Sequence, residues 1–214
     1  MTHKFATLED ITRTARRLNA GNAALPFCLL LMSDQQRLPG GMEIIAALPV
    51  NLAKNVAVIF RDYEVPNREA LGQEWRRITK RQGMKLLVAG DAALAKHLQA
   101  DGVHVPQWQH HQAEELRAKW PAHLLTASCH SEDDLVLLDG VGLDALLVSP
   151  VFPSTSHPGA TAFTADSLAK ITAAATTPII GLGGINQYTH RQLKQTGLSG
   201  FAGISFFAKT SNAK

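Results

Sequence analysis

The amino-acid sequence predicts an α/β fold, and within that class a single (β/α)8 TIM barrel preceded by an extra N-terminal helix. Eight short apolar runs recur along the 214 residues, and helical patterns separate most of them. The runs are continuously apolar rather than alternating, as parallel strands buried on both faces should be. Eight strands with helical crossovers favour a closed barrel, and an open doubly wound sheet is the alternative. Because 45% of the residues are hydrophobic, a single domain over 1–214, with its core at about 27–207, can bury a sizeable interior.

The predicted strands are these apolar runs, and the predicted helices lie between them. The strands cover 27–34, 55–63, 85–91, 102–106, 123–130, 145–152, 178–185 and 200–207. The helical pattern "NREALGQEWRRITKRQG" ends in basic residues and Gly83, a typical helix stop. Ser131, Thr164 and Asn186 are predicted N-caps of the helices after the fifth, sixth and seventh runs. The segment before Gly21 predicts the extra helix.

Composition and charge exclude several classes of function. The formal net charge of +3 is spread along the chain, so a nucleic-acid partner is not expected. The first residues have no continuous apolar core and no run is long enough to span a bilayer, so neither a secretory signal nor a membrane partner is expected. Cys28 and Cys129 lie in apolar runs, which fits a reducing, cytoplasmic location. His110 and His111 are interpreted as a solvated helix start rather than zinc ligands.

A functional site is expected at the carboxyl ends of the strands, where barrel enzymes place theirs. Ser128 and His130 end the fifth run two residues apart, so their side chains can point to the same side of the strand. They are the candidate catalytic residues. Other polar or glycine residues also end or follow the runs, among them Ser33, Asp34, Arg61, Asp62, Tyr63, Gly90, Asp91, His104, Gln107, Ser154, Ser156 and His157.

The glycine-rich end of the seventh run predicts a phosphate site. In "GLGGI", Gly183 and Gly184 allow main-chain N–H groups to approach a ligand, and the start of a following helix favours an anion. Ile204 and Ser205 end the eighth run, and loops after the last two strands often bind phosphate in barrels. A plain glycine turn is the alternative interpretation.

At these residues the sequence resembles the thiamine phosphate synthase family, which includes the TenI-type thiazole tautomerases. The resemblance runs from about Phe27 to Phe207 and is carried by "MSD", "DGVHVPQ", "SCHSEDDL", "SPVFPSTSHPGA", "GLGGI" and "GFAGISFF". It implies a (β/α)8 barrel and a small phosphorylated ligand, thiazole phosphate or thiamine phosphate, and it leaves a homo-oligomer open.

The sequence departs from the family pattern where a synthase binds its pyrimidine diphosphate and magnesium. At strand two the family resembles Q-x-R-E-K, and "IFRDY" keeps Arg61 but has Ile59 and Tyr63 at the glutamine and lysine positions. At strand three Asp91 remains as one magnesium ligand, whereas Gln109 stands where the second aspartate would be. A single carboxylate is a poor magnesium site unless substrate phosphates complete it.

The loop after the sixth run shows a similar departure. The family has T-x-T-K there, and this chain has "STSH". Ser154 and Ser156 keep the hydroxyl groups, and His157 replaces the lysine. The resemblance implies that these three residues contact the phosphorylated ligand, together with Arg61.

These departures favour thiazole-phosphate binding over diphosphate displacement, and leave several functions open. A TenI-type tautomerase moves a proton without a metal, and His130 matches its histidine. Many synthases also carry that histidine, and His130 could instead fix the strand-to-helix turn. The alternatives are a non-catalytic phosphate-ligand-binding paralogue, a fully active thiamine-phosphate diphosphorylase, and an unrelated phosphate-binding barrel enzyme. Lys85 begins a strand rather than ending one, which argues against a Schiff-base aldolase.

Overall fold

A computed structural model describes residues 5–20, 25–153 and 162–208, and within them eight parallel strands close a barrel in chain order. The strands are β1 Leu29–Met32, β2 Val56–Phe60, β3 Lys85–Ala89, β4 Gly102–Val105, β5 Leu124–Cys129, β6 Ala145–Val148, β7 Ile179–Leu182 and β8 Gly200–Gly203. The barrel closes where β8 pairs with β1, from Leu29 opposite Phe201 to Leu31 opposite Gly203. The predicted barrel is confirmed, and the open sheet is wrong.

Helices follow the strands and surround the barrel. They are α1 Ala6–Asn19, α2 Gly41–Ala46, α3 Val50–Ala53, α4 Arg68–Gln82, α5 Ala92–His97, α6 Ala113–Lys119, α7 Glu132–Leu138, α8 Ala165–Ala174 and α9 Ser205–Ala208, with 3₁₀ helices at Gln107–Gln112 and His190–Leu193. The extra N-terminal helix is confirmed as α1. In the part of the chain described, no helix is both long and apolar enough to cross a bilayer.

The strands are buried on both faces, which explains their continuously apolar sequences. Leu30, Ile59 and Ile180 belong to the cluster that fills the barrel. Leu29 and Phe60 belong to the second cluster, between the strands and the helices. Two apolar layers therefore fix the strands, and leave the strand ends to carry polar groups.

Most of the predicted helix ends are confirmed by their capping bonds. Asn67 caps α4 by accepting from the Ala70 N–H at 3.3 Å, and Gly83 ends it with a φ of 68°. Ser131 accepts from the Asp134 N–H at 3.1 Å, and Thr164 accepts from the Ser167 N–H at 3.0 Å.

The helix predicted to begin at Asn186 is wrong. Residues 186–189 form turns, followed only by the 3₁₀ helix. Asn186 Oδ1 accepts from the Tyr188 N–H at 2.8 Å, and Thr189 Oγ1 accepts from the Asn186 N–H at 2.9 Å while donating to the Gly184 carbonyl at 3.0 Å. These local side-chain bonds to the backbone compete with a regular helix.

Candidate functional site

A cleft of about 640 Å³ opens at the carboxyl ends of the strands. It lies mainly over β6, β7, β8 and β1, and its wall includes five of the predicted residues: Arg61, Gly183, Gly184, Ile204 and Ser205. A volume of this size accommodates a small phosphorylated molecule.

The glycine turn after β7 forms one wall of this cleft. Gly183 and Gly184 have φ values of 97° and 69°, which side chains rarely adopt. A Cβ on Gly184 would lie 2.5 Å from Phe152 Cβ, and one on Gly183 would lie 3.1 Å from Pro150 Cα. The turn therefore requires glycine for its own packing. Within the described residues, the N–H groups of these two glycines donate no hydrogen bond to the protein, so they are available to an anion.

Two arginines stand at the opposite edge of the cleft, joined by one carboxylate. Arg61 Nη2 lies 2.7 Å from Asp34 Oδ2, and Arg37 Nε lies 3.6 Å from the same oxygen. Arg37 was not predicted, because an arginine in an irregular loop has no pattern that distinguishes it from a solvated one. Two guanidinium groups sharing one carboxylate leave a net positive charge beside the cleft.

His130 directly follows β5 and is exposed; it is not among the described residues that line the cleft and adjoins it through Ser149. Its Nδ1 lies 3.0 Å from Ser149 Oγ and 3.3 Å from the Ser149 carbonyl oxygen. Ser149 itself lines the cleft. Nε2 forms no hydrogen bond among the described residues. The sequence motif contained Ser149, but nothing in it indicated this contact, which depends on the pairing of β5 with β6.

Ser128 faces a different partner from His130. Its Oγ lies 3.0 Å from His104 Nε2, and His104 Nδ1 lies 2.9 Å from Thr126 Oγ1. Burial, together with the nearby charge of Arg61, lowers the pKa of His104 to about 3. His104 is therefore neutral, and it orients the Ser128 hydroxyl inside the barrel mouth.

His110 is buried, so the prediction of a solvated helix start is wrong for this residue, although His111 is exposed. His110 Nε2 lies 2.9 Å from the Ser128 carbonyl oxygen, and its Nδ1 lies 3.5 Å from Asp134 Oδ1. Asp134 Oδ2 also accepts from the His130 N–H at 2.8 Å. Burial raises the pKa of Asp134, but the hydrogen bond from the His130 N–H helps to hold this pKa below its usual value. Asp134 thus fixes the backbone that carries His130.

On the β2–β4 side of the barrel mouth, the carboxylate of Asp91, the predicted magnesium ligand, is already engaged. Asp91 Oδ1 accepts from the Leu94 N–H at 2.8 Å and so caps α5. Asp91 Oδ2 accepts from Arg68 Nη1 at 3.2 Å. Gln109, at the position of the second aspartate, donates its Nε2–H to the Gly90 carbonyl at 3.1 Å.

Arg68 occupies the centre of this side, and the sequence motifs did not identify it. Besides Asp91, its guanidinium donates to the Asp62 carbonyl at 3.0 Å and to the Ala89 carbonyl at 2.7 Å. It lies 5.2 Å from the ring centroid of Phe60 and 5.4 Å from that of Tyr63. A cation of the protein is therefore already present beside Asp91.

The partly exposed ring of Tyr63 lies over Arg68 and packs on a second ring, Trp108. Tyr63 packs edge-to-face on Trp108 with ring centroids 5.2 Å apart. Burial raises the pKa of the Tyr63 hydroxyl, although Arg61 and Arg68 oppose the shift. The neutral phenol thus stands where the family lysine would supply a charge.

These residues do not fit a magnesium ion. Magnesium requires several oxygen ligands in near-octahedral geometry, and both Asp91 oxygens are bonded to the protein. Asp62 is likewise engaged by the Ser33 hydroxyl and the Gln35 N–H. Among the described residues, no cluster of three carboxylate, histidine or cysteine side chains could hold a metal. Ser154, Ser156 and His157, the predicted contacts of the phosphorylated ligand, lie in 154–161, outside the described residues.

Comparisons with known proteins agree with the fold and with the sequence motifs. Residues 29–207 match the family model described as thiamine monophosphate synthase. The thiamine-phosphate synthase of Desulfitobacterium hafniense (strain Y51) is 30% identical over 186 residues, which are 85% of this chain and 89% of the relative. That of Geobacillus kaustophilus is 31% identical over 150 residues, 69% of this chain and 67% of the relative. The structure of a thiamine phosphate pyrophosphorylase from Pyrococcus furiosus superposes with a TM-score of 0.73 at 22% identity, covering 88% of this chain and 94% of the other.

Proposed function

The chain belongs to the thiamine monophosphate synthase family, and on that premise we propose that it binds a phosphorylated thiazole in the cleft over β6–β8 and acts on it without magnesium, by proton transfer at His130. One observation carries the proposal. Both oxygens of Asp91 are bonded to Leu94 and Arg68, whereas across the mouth the N–H groups of Gly183 and Gly184 donate no hydrogen bond to the described residues.

The chemistry of the cleft supports binding of the phosphate group. The N–H groups of Gly183 and Gly184 present partial positive charge, and Ser205 adds a hydroxyl at the start of the segment after β8. Hydrogen bonds from backbone N–H groups to an anion are charge-assisted and hence strong. Arg61 and Arg37 on the facing edge attract a ligand of negative charge.

The surroundings of His130 support a proton-transfer role. When Nδ1–H donates to the Ser149 carbonyl, Nε2 carries a lone pair and can accept a proton. The imidazolium that results keeps its Nδ1–H on the Ser149 carbonyl and can return the proton from Nε2. A tautomerisation breaks one bond to hydrogen and forms another, so one imidazole that takes and returns a proton suffices and no other reactant is consumed.

Synthesis of thiamine phosphate, the activity in the names of the curated relatives, is the competing function, and retention of Arg61 favours it. A diphosphate that leaves must have its charge neutralised. Arg61 is the predicted diphosphate contact, but it is paired to Asp34, and Tyr63 supplies no charge. Metal-free chemistry on the phosphorylated thiazole therefore fits this site better.

The test follows the tautomer ratio of a phosphorylated thiazole carboxylate by NMR, with wild-type protein and two variants. His130→Ala should lower the rate about 10²- to 10⁴-fold, the usual contribution of a general acid–base group, while the Kd for the ligand changes little. His97→Ala removes an exposed histidine of α5 and should leave the rate unchanged. An unchanged rate in His130→Ala would contradict the assignment, and binding without turnover in the wild type would support a non-catalytic binder.

A further inference from the structure

The N-terminal helix α1 packs on the part of the barrel that carries the glycine turn. It contacts β8, α9 and the 3₁₀ helix His190–Leu193. Leu8, Ile11 and Ala15 of α1 are fully buried in the outer apolar cluster. The helix is thus fixed on the barrel beside the cleft, although it supplies none of the cleft's described lining residues.

The same helix holds the side chain of His190, which is fully buried. His190 Nδ1 lies 3.0 Å from Thr14 Oγ1. Its Nε2 lies 3.3 Å from Asp10 Oδ2 but lacks the geometry of a hydrogen bond. Asp10 is in turn paired with Arg191 at 2.6 Å. One imidazole is therefore enclosed by two side chains of α1.

The surroundings of His190 also determine which nitrogen carries its proton. Burial lowers the pKa of His190, so the ring is neutral. A lone pair on Nε2 would face the negative charge of Asp10, so the proton sits on Nε2. The Thr14 hydroxyl then donates to Nδ1, and it is the hydrogen bond that joins α1 to this ring.

Hydrogen bonds continue from His190 to the glycine turn. The His190 N–H donates to the Asn186 carbonyl at 3.2 Å. Asn186 donates its Nδ2–H to the Gly184 carbonyl at 3.2 Å, and the Thr189 hydroxyl donates to the same carbonyl at 3.0 Å. A continuous series of contacts thus runs from Thr14 through His190 and Asn186 to Gly184.

We propose that His190 is a positioning residue through which α1 holds the glycine turn in the geometry that binds phosphate. The proposal rests on the proposed function for the phosphate itself. Without the Thr14 bond, the buried imidazole loses its Nδ1 partner, and the start of the 3₁₀ helix is held to α1 by the more exposed Asp10–Arg191 pair and Thr7–Gln187 bond. A shift there reaches the Gly184 carbonyl through Asn186 and Thr189 and loosens the glycine turn.

Two threonines of α1 provide a matched pair of variants for the test. Thr14→Val removes the hydroxyl that bonds His190 and keeps the side-chain shape. Thr12→Val removes a hydroxyl of similar burial that bonds only to the Leu8 carbonyl of its own helix. Thr14→Ser retains the donor and should restore wild-type behaviour.

The first measurement is the Kd for inorganic phosphate and for the phosphorylated thiazole by calorimetry. Thr14→Val should weaken both about tenfold, the effect of one unpaired buried acceptor, with kcat unchanged, and Thr12→Val should weaken neither. Equal affinities in both variants would overturn the positioning role. If the wild type binds neither ligand, the proposed function fails, and the second measurement decides the positioning role.

The second measurement is amide hydrogen exchange in the ligand-free protein. The amide of His190, which donates to the Asn186 carbonyl, should exchange faster in Thr14→Val than in Thr12→Val, while amides of β3 and β4 exchange equally in both. Equal protection of His190 in the two variants would contradict the proposal whether or not a ligand binds.

Discussion

The two halves of the barrel mouth have opposite constructions. Over β7 and β8, the proposed site consists of backbone: Gly183 and Gly184 line the cleft, and their N–H groups donate no hydrogen bond to the described residues. Over β2 to β4, the mouth consists of side chains that satisfy one another, with Arg68 bonded to Asp91 and covered by Tyr63. One half is open to a ligand, and the other already contains its own cation.

The difference follows from what each kind of site needs. A backbone site depends on the φ values and close packing of its glycines, which the fold itself requires. A metal site depends on the identity of a few carboxylates and on their oxygens being unbonded. Replacing one such carboxylate by an amide would therefore remove the second kind of site without disturbing the barrel.

The largest expected effect is on the open half. Gly184→Ala should lower the free energy of unfolding by about 3 kcal/mol or more and abolish ligand binding, because it adds a clash with Phe152 to the strain of a positive φ. Gly83→Ala is the matched control, with a φ of 68° and open space around its Cβ, and should cost only about 1 kcal/mol. Urea unfolding and calorimetry measure both.

Equal losses of unfolding free energy in these two alanine variants would show that packing against Phe152 does not distinguish Gly184 from a glycine in open space. Full ligand binding by Gly184→Ala would remove this turn from the account of the site. Either result would contradict the account of the open half of the mouth, and with it the comparison of the two halves.

A smaller effect is expected on the closed half. Arg68→Met should lower the free energy of unfolding by about 2 kcal/mol, since it removes charge-assisted bonds to Asp91 and two carbonyls. It should change the Kd for the phosphorylated thiazole by less than about twofold, because Arg68 lies outside the cleft lining. Arg77→Met breaks an exposed pair with Glu74 and should change stability by less than about 0.5 kcal/mol.

A strong loss of thiazole binding in Arg68→Met would show that the two halves act as one ligand site. Recovery of stability on addition of magnesium would show that Asp91 holds a metal once Arg68 is gone. Neither is expected, because one carboxylate supplies too few ligands.

The barrel could be predicted from the sequence because each strand is a continuous apolar run, and burial on both faces produces that pattern directly. The glycine turn could also be located, since three glycines at the end of an apolar run are unusual. The side chains whose surroundings the sequence did not predict have a common feature. His110 and Arg68 have charged or titratable side chains in amphipathic stretches, and their burial depends on partners 18 to 23 residues away.

The helix predicted after β7 was wrong for a local reason. Asn186 does accept backbone N–H groups, as a helix cap would, but Thr189 turns the same residues into a closed loop bonded to Gly184. The sequence indicates the capping chemistry of Asn186 but not the competing turn that Thr189 closes. That turn is part of the proposed phosphate site. The wrong helix prediction therefore falls within the proposed site.

The most direct test of the central claim, that this site acts without magnesium, is the rate of diphosphate release. The protein is supplied with the pyrimidine diphosphate and the phosphorylated thiazole, with magnesium and then with EDTA, in a coupled assay. The account predicts no release above background in either condition, in a sample that binds the phosphorylated thiazole equally in both. Rapid release that requires magnesium would contradict it, and would mean that Asp91 exchanges Arg68 for the metal.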